Sequence, residues 1–373
     1  MNFIFASDSF KGSLSSLEIS KILEKELNSV FPQASHTSFL IADGGEGTLD
    51  AFLCQKSARR VEAFVSDPLL RRIKSSYVVL GKTAIIALSE ASGLTLLTKE
   101  EQNPLNTSTY GTGELILHAL KSGYRDIVVA IGGSATNDGG IGCMSALGVK
   151  FLDKDGKIVH GVGKNLGLID KIDISCLCPL VKEANFTVMC DVTNPLLGKN
   201  GATYVYGPQK GATAEILCEL ESGMQNYDTV IKNTLGIDPN KVIGGGAAGG
   251  IGAALNTFLG AKMTSGIETL LDIIDFDSAI KCCDYVISGE GRLDSQSLSG
   301  KVIYGIAKRC KKSGVPLILL VGSLGEGWEK AYDLGASKIY SLVNDTTPHE
   351  VAINQAEAVY TTRAREIFKE INN

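Results

Sequence analysis

Several glycine-bearing loops in this chain also carry carboxylates and cations, an arrangement suited to holding a metal–phosphate complex. The segment SGEGRLDSQSLSGK (288–301) places Glu290, Arg292, Asp294 and Lys301 after a strand-like run and before a helix-like one. Carboxylates suit a divalent metal, and Arg or Lys suits phosphoryl oxygens. A solvated salt-bridge cluster is the plainer alternative. The loop SDSFKGS (7–13) adds Asp8, Ser9 and Lys11 between the apolar run Phe3–Ala6 and a helix opened by the capping box Ser15-x-x-Glu18. Backbone N–H groups and the helix dipole favour an anion at such a junction. In ADGGEGT (42–48), Asp43 and Glu46 flank glycines, and Mg²⁺ commonly takes one or two carboxylates plus phosphate oxygens. An Asp-Gly turn would explain the same residues.

A second group lies in the middle of the chain. TSTYGTGE (107–114) is rich in hydroxyls, with Ser108 and Thr112 able to cap a helix or bind a polar substrate. IGGSATNDGG (131–140) follows a buried strand and offers Gly132, Gly133, Ser134, Asn137 and Asp138 as a phosphate nest with metal or hydroxyl ligands. Asp191 directly follows the strand-like FTVMC, where a carboxylate can act as a base or simply start an Asx turn. YGPQKGA (206–212) supplies Gln209 and Lys210. GGGAAGG (244–250) contains GxGxxG through Gly244, Gly246 and Gly249, with Gly245 between them. It lacks the preceding strand and the ribose-binding acid of a dinucleotide fingerprint. The half P-loop GKT (81–83) reads as a hairpin turn between strands.

These loops need strands and helices to aim them. Near the N-terminus, Ile19, Ile22, Leu23, Leu27 and Val30 recur at helical spacing, and the run Ser38–Ala42 reads as a second strand. Near the C-terminus, CDYVIS (283–288), VPLILLVG (315–322) and SKIYSLV (337–343) read as buried parallel strands. A helix is expected over about 302–312, and one last helix from His349 to Glu370. The middle alternates as antiparallel strands do in VEAFVSD and SSYVVLGKTAIIALSE, then turns to helices and buried strands. The fold class is therefore α/β with two domains. Both chain ends (1–61 and 275–373) build a Rossmann/flavodoxin-like parallel sheet, and 62–274 is an inserted mixed α/β domain.

Composition excludes other classes. The chain has 373 residues with 42 Gly and 9 Pro, where about 7% and about 5% are usual. Twenty of those glycines fall in six short clusters, so the excess belongs to specific loops rather than to a low-complexity tail. Hydrophobic residues make up 44% and charged ones 21%, as in a folded soluble protein. The net charge of −5, without a basic run, argues against nucleic acid as a partner. No signal peptide or membrane span is expected, so the location is read as cytoplasmic. The nine Cys lack metal-finger spacing and the four His are scattered, which disfavours a His-based metal site or a Ser–His–Asp triad.

In order along nearly the whole chain, SDSFKGSLS, IADGGEGT, TSTYGTGELI, IGGSATNDGG, CDVTNP, YGPQKGAT, GGGAAGGIGAAL and ISGEGRLDSQSLSGK resemble the type I bacterial glycerate kinases. One departure is Ser7, where the family often has Pro. The resemblance implies ATP-dependent phosphorylation of D-glycerate, favouring 2-phosphoglycerate, with Mg²⁺. It also implies an active site in a cleft between two α/β domains, in a monomer or homodimer. On that reading Asp191 is the first candidate for the base and Asp294 the second. Lys11 and Arg292 bind the transferred phosphoryl group or the substrate carboxylate. Asp8, Ser9, Ser108, Thr112, Gln209 and Lys210 are substrate candidates. Asp43, Glu46, Asp138 and Glu290 are metal candidates. The loops 132–140 and 244–250, with Lys301, are nucleotide candidates. The runner-up is an NAD(P)-dependent glycerate or hydroxypyruvate oxidoreductase, and a non-catalytic hydroxy-acid binder is the third reading. Replacing Lys11 with Ala should lower kcat/KM by about 10²-fold or more, because charge-assisted contacts in a dry site are strong. A loss below about threefold in steady-state assays would remove Lys11 from the site.

Overall fold

A computed structural model describes residues 1–10, 12–41, 48–55, 57–295, 297 and 301–373. The chain divides into two compact units. One takes Met1–Asp43, Asp50–Gln55 and Ser265–Asn373, and the other takes Gly44–Leu49 and Lys56–Thr264.

The first unit is built on a five-stranded parallel sheet. Its strands are Asn2–Phe5, Ser35–Ser38, Tyr285–Ser288, Leu317–Val321 and Ala336–Ser341. Numbered within the unit by chain order, they lie 2-1-3-4-5. That is the flavodoxin-like order, in which the winding reverses between strands 1 and 3. The strand Leu317–Val321 is buried throughout, as its unbroken apolar run requires. Helix Ser16–Val30 starts at a formed capping box, with Ser15 and Glu18 each bonding the other's backbone N–H. It packs Leu23 and Leu27 into a core that includes Phe3, Phe5, Ile367 and Phe368. The buried Glu26 carboxylate of that helix receives Arg365 Nε at 2.6 Å and Nη2 at 3.2 Å, tying the two chain ends together.

Two elements differ from the sequence expectation. The second strand is the polar SHTS at Ser35–Ser38 rather than the apolar run from Ser38 to Ala42. It is an edge strand, paired on one side by Asn2–Phe5, so backbone bonding suffices there. Phe39 and Ile41 are buried beyond its end. The last helix is two, His349–Asn354 and Ala356–Asn372, because Gln355 leaves helical geometry at φ −123° and ψ 33°.

The second unit carries a six-stranded mixed sheet. Arg59–Ser66, Arg72–Leu80 and Thr83–Ala87 run antiparallel in sequence, and Asp126–Ala130, Asn185–Met189 and Lys262–Thr264 extend the sheet in parallel. The GKT sequence is the tight connection between Leu80 and Thr83, as a hairpin reading requires. The loops 132–140 and 244–250 lie against each other, with Gly139 N donating to Gly249 O at 2.9 Å. A Cβ on Gly249 would lie 2.0 Å from the Thr136 carbonyl oxygen, and its φ is +72°. Gly249→Ala therefore combines a backbone clash with a left-handed side chain and should cost about 3 kcal/mol or more. Gly236, at φ +68° with nothing within 4 Å of a Cβ, isolates the conformational part, and Gly236→Ala should cost about 1 kcal/mol. Urea unfolding of both variants checks the difference, and equal costs would refute the packing account.

Candidate functional site

In an open parallel sheet, ligands bind outside the carboxyl ends of the strands where the winding reverses. The first unit has a pocket of about 400 Å³ at that place. Asp8, Ser9 and Ser13 line it from the loop after strand Asn2–Phe5, and Glu290, Arg292, Asp294 and Ser297 from the loop after Tyr285–Ser288. Lys301, at the N-cap of helix Val302–Ser313, and Gly322 and Ser323, after Leu317–Val321, complete its polar part.

Backbone pairing carries the strand ladder into these loops. Asp8 N donates to Gly289 O at 2.9 Å, Gly322 N to Glu290 O at 3.0 Å, and Ser323 N to Gly291 O at 3.1 Å. Arg292–Leu293 pairs in parallel with Ser323–Leu324 as a small second ladder. Asp294 is fixed locally: its Oδ1 accepts Ser297 N at 3.2 Å and its Oδ2 lies 3.4 Å from Arg292 Nε. Ser297 Oγ donates to Arg292 O at 2.9 Å, which closes the turn. Asp8 Oδ1 accepts Ser9 N at 2.7 Å.

Glu290 is the buried carboxyl of the pocket, 8% exposed. Among the described residues its Oε1 has no hydrogen-bond partner. Burial pushes its pKa up to about 7; Ser297 and Lys301 oppose the rise, while Asp8 and Asp294 add to it. The pocket can thus hold oxygen-rich and anionic groups at one end, with a proton or a cation shared near Glu290.

The other sequence-derived candidates in the second unit form a buried polar network. Asp138 is fully buried, and its Oδ2 accepts Thr109 N and Oγ1, each at 2.8 Å, and Gly142 N at 3.2 Å. Its Oδ1 accepts Gly140 N at 3.1 Å, so protein donors occupy both oxygens. Burial raises its pKa. Lys210 is buried and donates to Thr136 O at 2.6 Å; burial brings its pKa down to about 7, opposed by Asp138. Thr112 Oγ1 pairs with Ser92 Oγ, Ser108 Oγ accepts Tyr110 N, and Ser134 Oγ pairs with Thr136 Oγ1. Asn137 donates to Thr203 Oγ1, and its Oδ1 is buried without a partner among the described residues. In the loop 244–250 the amides of Gly245, Gly246 and Ala247 donate to the carbonyls of Val242, Asn194 and Gly244, so these three serve the fold. Gly132 is half-buried, Gly133 exposed and Gly244 buried. Asp191 and Gln209 are exposed. Lys11, Asp43 and Glu46 lie outside the described residues. Among the described residues, no three His, Cys, Asp or Glu side chains group as a metal set.

The glycerate kinase family model matches residues 3–372. The chain belongs to that family. It is 44% identical to the glycerate 2-kinase of Escherichia coli K12 over 92% of this chain and 91% of that one. It is 40% identical to the glycerate kinase of Bacillus subtilis 168, over 100% and 98%. A crystal structure of a protein assigned as glycerate kinase 2 from Salmonella typhimurium LT2 superposes with a TM-score of 0.88 at 38% identity, covering 100% of this chain and 98% of that one. As a member of the glycerate kinase family the chain is an ATP-dependent kinase. None of these relatives is named as an oxidoreductase. Among the described residues, no helix is long and apolar enough to cross a membrane.

Sequence reading missed part of the pocket wall. Ser13 and Ser297 sat inside quoted motifs and could have been weighed as hydroxyl ligands. Leu342 and Val343 follow a strand's carboxyl end, which is a topological signal. His349 and Ile353 carried none, since their approach depends on the tertiary fold.

The Glu290 shift makes a stability prediction. The native carboxyl keeps its proton up to about pH 7, whereas the unfolded one releases it near 4.5. The native state therefore binds more protons between those values, and stability falls as pH rises through that window. Glu290→Gln should remove about 3 kcal/mol of that fall. Urea unfolding from pH 4.5 to 8 with a chelator present checks it, and parallel profiles for the two proteins would refute the assignment.

Proposed function

We propose that the chain transfers the γ-phosphoryl group of ATP to the 2-hydroxyl of D-glycerate, with Mg²⁺, at the pocket of the first unit. The observation that carries this is Glu290, a buried carboxyl group with an unpartnered oxygen, in one pocket with Asp8, Asp294, Arg292 and Lys301. The Escherichia coli relative is a glycerate 2-kinase, which supports the 2-hydroxyl as acceptor. A dependence on ATP fits a cytoplasmic location.

The donor set fits Mg²⁺, which takes hard oxygen ligands from one or two carboxylates and fills its sphere with water and phosphate oxygens. Glu290 offers the unsatisfied oxygen, and Asp8 is the second carboxylate. We favour this pair over Asp138, whose oxygens are taken by Thr109, Gly140 and Gly142. When bound, the ion neutralises negative charge on the phosphoryl oxygens.

The protein's own part is positioning and charge balance. Lys301 and Arg292 hold phosphoryl or carboxylate oxygens, with Arg292 able to bind two at once. Ser9 and Ser13 supply hydroxyls to a polar acid. The glycerate O2–H attacks phosphorus, the new O–P bond forms as the bond to the ADP oxygen breaks, and the O2 proton passes to a carboxylate. We place that proton on Asp294, which lines the pocket and is aligned by Ser297. Asp191, at the end of a strand in the second unit, is the alternative.

A coupled ADP-release assay over a panel of hydroxy acids tests the reaction. D-glycerate should give ADP, with 2-phosphoglycerate identified by NMR and no NAD(P)H formed or consumed by the protein alone when ATP is left out. Absence of ADP, or 3-phosphoglycerate as product, would refute the reading. Asp294→Asn should lower kcat by about 10²- to 10⁴-fold, the usual range for a lost general base. If Asp294→Asn keeps its turnover and Asp191→Asn loses it, the base is Asp191.

A further inference from the structure

The pocket of the first unit also has an apolar lining. Besides the charged residues it is walled by Phe10, Leu342, Val343, Ala352 and Ile353, together with His349. Leu342 and Val343 sit on a preformed frame. Leu342 N donates to Val321 O at 2.9 Å and Val343 N to Gly322 O at 3.0 Å, so this segment continues the sheet's edge. The turn into helix His349–Asn354 is closed by Asn344 and Thr347, whose backbones exchange two bonds of 3.1 Å each. Ala352 of that helix is buried, while its neighbour Ile353 is 47% exposed although it lines the pocket.

We infer that this apolar lining receives the purine base of ATP, with the phosphates running toward Lys301 and Arg292. The inference rests on the kinase reading above. Of the two substrates, glycerate is a three-carbon acid with oxygen on every carbon and has no use for an aliphatic wall. The nucleotide carries a flat, largely apolar ring at one end and phosphates at the other, and the pocket offers both apolar and charged lining. A cavity of about 400 Å³ is far larger than a three-carbon acid fills, and lies in the range of pockets that enclose larger organic ligands. The partly exposed Ile353 gains free energy once an apolar ring covers it. The glycine loops 132–140 and 244–250 are weaker claimants, since many of their amides bond within the protein.

The test uses the full-length protein and reads the two substrates separately. Ile353→Asp should raise KM for ATP by about tenfold, the cost of losing a half-buried aliphatic contact and adding a charge. KM for D-glycerate should stay within about twofold. Ile353→Leu should restore KM for ATP. Val351→Asp, exposed on the same helix but outside the pocket lining, should leave KM for ATP unchanged. An unchanged KM for ATP in Ile353→Asp, or an equal rise in both constants, overturns the inference. A binding readout works without turnover: adenosine should displace a fluorescent ADP analogue from the wild type and do so about tenfold less well from Ile353→Asp. If that difference appears but D-glycerate is not phosphorylated, the glycerate reading fails and the base site stands. If D-glycerate is phosphorylated but adenosine competes equally in both proteins, the base site fails and the kinase reading stands.

Discussion

The amide of Asp8 bonds the carbonyl of Gly289 at 2.9 Å, and a Cβ on Gly289 would lie 1.8 Å from the carbonyl oxygen of Leu320. The loops carrying Asp8 and Gly289 therefore meet strand Leu317–Val321 with no room for a side chain at their junction. Ser288 Oγ adds a bond to Ala6 O at 2.7 Å just below it. This close approach is the constraint on which the site depends. It brings the ends of strands 1, 3 and 4 of the first unit close enough for Asp8, Glu290 and Ser323 to face one pocket. The reversal of winding between strands 1 and 3 opens the crevice, and the glycine junction sets its floor.

The charges then follow from that floor. Glu290 is carried on the residue after Gly289, so it is drawn out of water with the backbone, and its carboxyl pays for that in desolvation. Arg292 and Lys301 lie farther out on the same loop and keep water contact. A buried acid behind exposed cations makes a site that is unbalanced without a ligand. A cation near Glu290 and an anion near Lys301 together restore balance, which is the charge pattern of a metal–phosphate complex.

Much of this was legible in the sequence, for stated reasons. The parallel α/β character of the chain ends followed from unbroken apolar runs such as LILLV and from the Ser15–Glu18 capping box. The loop 288–301 was legible because four charges lay between a strand and a helix. The edge strand Ser35–Ser38 was not, since an edge needs backbone pairing more than apolar residues. The break at Gln355 left no Pro or Gly as a signal. Nor was the fate of Asp138 visible, because Thr109, which donates to it twice, lies 29 residues earlier and meets it only in the fold.

Glycine excess had two physical causes that composition cannot separate. In the second unit, Gly139 and Gly249 let two loops touch backbone to backbone, and the amides near them bond to protein carbonyls. In the first unit, Gly289 lets backbone segments converge beside a pocket lined by charged side chains. The same residue type thus serves a closed packing contact in one place and an open crevice in the other. What distinguishes them is the company of charge: Glu290, Arg292 and Asp294 follow Gly289 within five residues, whereas 244–250 has no charged residue at all. A glycine cluster with charges of both signs beside it is therefore the stronger pointer to a ligand site, because backbone packing needs no charge and phosphate binding does.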